Sequence, residues 1–99
     1  MSDDYGYVNQ RTVSPDYEKD VSDTVDFSMS WHSLGTDVIL TSTWESDVFE
    51  VSGDLVDGLT TAVFISGGTE GAIGRLTNTI VTGMGRTIQR SIYIAVSEL

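Results

Sequence analysis

The stretch from Thr60 to Val96, TTAVFISGGTEGAIGRLTNTIVTGMGRTIQRSIYIAV, decides the fold. It holds three β-runs, Thr60–Ser66, Gly74–Thr82 and Thr87–Val96, divided by Gly67-Gly68-Thr69-Glu70-Gly71 and Gly83-Met84-Gly85. In the middle run Leu76, Asn78 and Ile80 share one face, and Arg75, Thr77, Thr79 and Val81 the other. In the last run Ile88, Ile92, Ile94 and Val96 share a face that Arg90 interrupts. Side chains alternate along a strand, so both runs read as strands with one apolar face. Gly83-Met84-Gly85 is a three-residue hairpin loop, with glycine supplying the left-handed position. The two runs are expected to form the central hairpin of a sheet. Gly67, Gly68 and Gly71 serve the preceding reversal, since glycine takes positive φ without a Cβ clash.

The first run carries Val63 and Ile65 on one face and Ala62 and Phe64 on the other. That pattern suits a central strand or one that meets a partner. Upstream, Val25, Phe27, Met29 and Trp31 alternate with Thr24, Asp26, Ser28 and Ser30, which marks a half-buried strand. Ser33 to Asp37 is a turn, and Val38–Thr43 a second strand ending at Trp44, a residue large enough to fill the centre of a small sandwich. Between Glu45 and Asp57, Phe49, Val51 and Leu55 suit a third strand and a short fourth. Asn78 is expected to satisfy backbone groups within the sheet or at its end. About seven antiparallel strands with turns every 8–12 residues predict an all-β, immunoglobulin-like β-sandwich over residues 23–99.

Residues 1–22 have a different composition. Asp3, Asp4, Asp16, Glu18 and Asp20 stand against Arg11 and Lys19, and the apolar residues are too sparse for a core face. Two readings fit: a solvated tail, or an extended N-terminal arm that orders against a neighbour through Tyr5, Tyr7, Val8 and Tyr17. The expected boundaries are therefore an arm over 1–22 and a sandwich over 23–99.

Fifteen acidic and five basic residues give a formal net charge of −10. Phosphate binding needs clustered lysine and arginine, so nucleic acid is not an expected partner, and neither is an anionic membrane surface. A basic protein partner suits this charge better. The chain has no cysteine, which excludes disulfides and thiolate metal sites. The polar, acidic start MSDDYGYVNQ does not read as a signal peptide, and the expected site of synthesis is a cytosol.

No residue pattern in the chain specifies a chemistry. His32, the one histidine, cannot form a two-histidine metal site. Ser66-Gly67-Gly68 lacks the G-x-S-x-G frame of a nucleophile elbow. The glycines around Gly71 and Gly74 lack the Lys-Ser/Thr of a phosphate loop. The acids at 16–23 and 54–57 lack a D-x-D-x-D-G calcium loop and read as a solvated negative surface. No catalytic residue, metal or cofactor is expected.

The order of several short motifs resembles the bacteriophage fiber–tail adaptor family of small virion proteins. They are the aspartate-rich strand Asp20–Trp31, Thr43-Trp44, Val63-Phe64-Ile65-Ser66-Gly67-Gly68-Thr69 with Gly71, Thr77-Asn78-Thr79-Ile80, Gly85-Arg86-Thr87 and Arg90-Ser91-Ile92. The resemblance implies an immunoglobulin-like, non-enzymatic structural protein of the virion. It would join the tail, through a ring, adaptor or nozzle protein, to the N-terminus of the tail fiber, in several copies around the tail. It would be made in the host bacterial cytoplasm. Arg86 and Arg90, two of the five basic residues, lie on one hairpin and pair either with acids of their own domain or with a partner. A capsid decoration or head-completion protein of the same fold is one alternative. A carbohydrate-binding module, with Trp31 and Trp44 exposed to stack on sugar rings, is another.

Overall fold

Apolar residues at alternate positions on both sides of the Gly83–Gly85 loop leave the backbone one economical arrangement, a long hairpin with its apolar face turned inward. The computed structural model describes residues 15–97. Its strands are β1 (Tyr17–Asp20), β2 (Val25–Ser30), β3 (Ile39–Ser46), β4 (Glu50–Asp57), β5 (Thr60–Ser66), β6 (Ile73–Thr82) and β7 (Thr87–Ser97), with one 3-10 turn at His32–Leu34. They form two sheets, a four-stranded one in the order β1-β7-β6-β3 and a three-stranded one in the order β2-β5-β4. From β2 onward this is the strand order of an immunoglobulin-type sandwich, B-E-D against C-F-G.

The expected central hairpin is present. β6 and β7 pair from Ile73↔Ala95 to Val81↔Thr87 and occupy the middle of the four-stranded sheet. Thr82 N–H donates to the Arg86 carbonyl at 2.9 Å, and Arg86 N–H to Thr82 Oγ1 at 3.1 Å, which closes a loop whose Gly85 has φ +86°. Gly83 needs to be glycine for a different reason: a Cβ there would sit 2.8 Å from Val38 Cγ2. Gly67, Gly68 and Gly71 all have positive φ in the β5–β6 crossing between sheets, and Gly68 also leaves room for Phe49 and Val96.

Two expectations need correction. The strands are not all antiparallel: β1 runs parallel to β7, from Tyr17↔Ile94 to Asp20↔Ser97. A tight turn would force these strands antiparallel, but the whole domain lies between them, so the chain enters alongside its own last strand. Tyr17–Asp20, read from sequence as arm, therefore belongs to the sheet. Lys19 is buried there with its ammonium donating to the carbonyls of Asp20 (2.7 Å) and Gly67 (2.9 Å), and it lies over the Phe49 ring. Tyr5, Tyr7 and Val8 fall outside the described residues. The second correction is to residues 45–57, where Glu45 and Ser46 finish β3 and a single strand, β4, replaces the two expected. β4 pairs with β5 throughout, and its register shifts between Ser52 and Leu55. Gly53, at φ +60°, and Asp54 together oppose Val63, which is a β-bulge. The inserted residue turns Leu55 to the outer face, so Leu55 does not line the core.

Between the sheets lie Met29, Trp31, Leu34, Trp44, Phe49, Val63, Ile65, Leu76, Ile80, Ile94 and Val96. A polar chain crosses this core. Trp31 Nε1 donates to Thr61 Oγ1 (3.0 Å), Thr61 Oγ1 donates to Asn78 Oδ1 (2.5 Å), and Asn78 Nδ2 donates to Ser42 Oγ (2.8 Å) and the Thr43 carbonyl (3.0 Å). Thr61 belongs to one sheet and Asn78 to the other. Asn78 thus does more than satisfy its own sheet: it ties the two together.

Candidate partner interface

Arg90 on β7 lies over the Trp31 ring, its guanidinium carbon 4.3 Å from the ring centroid, and Nη1 donates to the Ser30 carbonyl at 2.9 Å. The arginine that interrupts the apolar face of β7 thereby covers the open end of the core with its flat cation. Arg86, beside the hairpin loop, has Nε 3.4 Å from Asp37 Oδ2. Asp37 Oδ1 accepts from the backbone N–H of Val38 (2.8 Å) and Met84 (3.0 Å). Burial pushes the Asp37 carboxyl up. The Thr82 hydroxyl, these two N–H groups and the Arg86 charge outweigh it and hold the acid below its ordinary value. Each arginine therefore has a place within its own domain. Tyr17 is 51% exposed, and its ring meets Phe27 edge-on with centroids 5.1 Å apart. The structure does not bring Arg86 and Arg90 together: one anchors the hairpin loop to Asp37 and the other covers Trp31.

Trp31 and Trp44 are 1% and 9% exposed. Neither offers a ring face to a sugar, so the stacking platform of a carbohydrate module is absent at both. Among the described residues no three of His, Asp or Glu come together as metal ligands. A shallow cleft lined by Glu45, Asp47, Arg75, Thr77, Gln89 and Ser91 is polar, with the Arg75 N–H bound to Asp47.

Acids stand on both sheets, Glu18, Asp20 and Glu45 among them on the four-stranded one, whereas the described bases stand only with the four-stranded sheet. Every charged residue on β2, β4 and β5 is an acid: Asp26, Glu50, Asp54 and Asp57. The basic residues among those described, Lys19, Arg75, Arg86 and Arg90, lie on the four-stranded sheet or its hairpin loop. Large apolar side chains are also exposed. Val38, Leu40 and Met84 surround the β6–β7 loop, and Leu55 (60% exposed) and Phe64 (45%) stand on the acidic sheet. Sequence periodicity missed Leu55 because it assigned the residue inward. A glycine inside a strand pattern, here Gly53, was the signal for a bulge.

The family described as "Podophage GP4 fiber-tail adaptor protein gp77" matches residues 19–95. The chain belongs to this fiber–tail adaptor family. The match begins at Lys19 in β1 and ends at Ala95 in β7, so it covers the sandwich from its first paired strand to its last. A comparison with curated proteins finds no match.

Proposed function

We propose that this fiber–tail adaptor is a non-enzymatic structural protein of the virion tail that bridges a tail protein (ring, adaptor or nozzle) and the N-terminus of the tail fiber, in several copies around the tail. The observation that carries the reading is the family match across the whole sandwich. Three features of the molecule support it. The core is cross-tied by Asn78 and Thr61, which suits a rigid connector. The three-stranded sheet carries acids alone and the four-stranded sheet mixes acids with bases, which suits two different partners. Exposed apolar residues supply contact area beyond what a solvated monomer needs.

The residues ahead of β1 act in this proposal as an assembly arm, with Tyr5, Tyr7 and Val8 as anchors, the exposed ring of Tyr17 on β1 continues that contact, and Arg86 adds another with its side chain 48% exposed. Arg90 contributes by holding the end of the core that a partner meets. The chain is made in the host cytoplasm before assembly. The test mixes the purified chain with the tail-ring protein and a fiber N-terminal fragment of the same phage, separately and together, and weighs the products by size exclusion with light scattering. A ternary complex that forms only when this chain is present is the expected result, and its mass gives the copy number. Binding to neither partner refutes the bridge.

A further inference from the structure

We infer that the outer face of the three-stranded sheet is a docking surface for a different protein that presents an apolar side chain flanked by lysine or arginine, an inference that rests on the adaptor reading. The strand register lays the face out in rows. Asp26 on β2 lies beside Phe64 on β5, which lies beside Ser52 on β4. In the next row Ser28 lies beside Ala62, which lies beside Leu55. Directly paired residues on one face have Cβ atoms about 5 Å apart. Phe64 and Leu55 therefore stand on adjacent rows among serines and an alanine, none of which is tall enough to cover them. Asp26 borders Phe64, and Asp57, two residues on along β4, borders Leu55 on the same face.

The bulge makes this surface. Without the extra residue in β4, Leu55 would point into the core, and its outward turn leaves an apolar side chain in water. A Cβ on Gly53 would sit 3.1 Å from Phe64 Cδ2, so the glycine also gives the aromatic ring its resting place over the backbone. The charge selects the occupant. Four acids and no base on these strands attract a cationic surface and repel a second copy docked face to face.

The test uses intact virions and zero-length carbodiimide coupling of carboxylates to amines, read by mass spectrometry. Lys19 is the one lysine of this chain and is buried, so a link from Asp26, Glu50 or Asp57 to any other lysine identifies a different protein. Such links are the expected result. Links from this face to Lys19 or to the amino terminus of this chain would make a second copy the occupant and overturn the inference. Links confined to carboxylates elsewhere on the chain would do the same. Absence of the chain from virions would overturn the adaptor reading and this inference together. With purified proteins, Leu55→Asp combined with Phe64→Asp should weaken binding to one of the two partners at least tenfold and leave the other unchanged. Asp26→Asn with Asp57→Asn, which removes charge from the face and leaves its apolar side chains in place, should flatten the salt dependence of that same complex. If wild type binds a partner and both variants bind it equally well at every salt concentration, the adaptor reading stands and the docking face is refuted.

Discussion

Replacing Asn78 by leucine tests whether the polar chain through the core is what ties the sheets together. Asn78 is fully buried and makes hydrogen bonds to Thr61, Ser42 and the Thr43 carbonyl. Leucine branches at the same carbon and is larger, so the change removes partners without opening a cavity, and any crowding adds to the loss. The Thr61 hydroxyl proton is left without an acceptor in a fully buried position, and the Thr43 carbonyl loses one donor, at about 1–3 kcal/mol each. Ser42 is half-buried and can turn its hydroxyl elsewhere, so it adds little. Together these come to about 4 kcal/mol, offset by about 1.5 kcal/mol for the apolar surface that leucine buries. The net loss is about 2.5 kcal/mol, roughly 10–20 °C in Tm for a domain of this size. Urea denaturation of the purified chain, followed by tryptophan fluorescence, measures it. Thr61→Val removes the other half of the contact, and in the double variant the orphaned hydroxyl no longer exists. The two changes should therefore be non-additive by about 1–2 kcal/mol in the favourable direction. A loss below about 1 kcal/mol for Asn78→Leu, or additivity within about 0.5 kcal/mol, would refute the claim that the chain is a single coupled unit.

Three further outcomes follow from particular contacts. Gly74→Ala should destabilise the fold by about 1–3 kcal/mol in the same denaturation assay, because the new Cβ falls 2.5 Å from the Phe49 ring and 2.9 Å from Val48 Cβ. Arg90→Ala should cost about 1 kcal/mol and shift Trp31 emission, and Arg90→Lys should restore less than half of that, since a point ammonium cannot stack as the guanidinium does. Asp37 has its carboxyl value lowered in the fold, so the stability it contributes is complete above the ordinary aspartate value and is lost as pH falls through the lowered one. Wild type should therefore exceed Asp37→Asn in stability at neutral pH, and the gap should close in acid; a gap that does not change with pH would refute the assignment.

The β6–β7 hairpin could be read from sequence because both of its determinants are local. Alternation sets which residues face inward, and a glycine at the left-handed position sets the loop. The same holds for Val25–Trp31, whose inward residues are the ones predicted. β1 was not readable: three of its four residues are polar, and its strand state depends on β7, which lies at the other end of the chain. The role of Arg90 was hidden for the same reason, since a lone arginine on an apolar face looks like an interruption until Trp31, from a different strand, is placed beneath it. At β4 the local pattern was actively misleading. One extra residue reverses every face that follows it, and VSGDLV can be counted with or without that residue. Alternation reports which side chains leave water, and it is silent on what the outward ones meet. For a connector, partner recognition depends on those outward residues. The bulge at Gly53 is thus both the place where the periodic reading failed and the place where an apolar side chain was put on the surface.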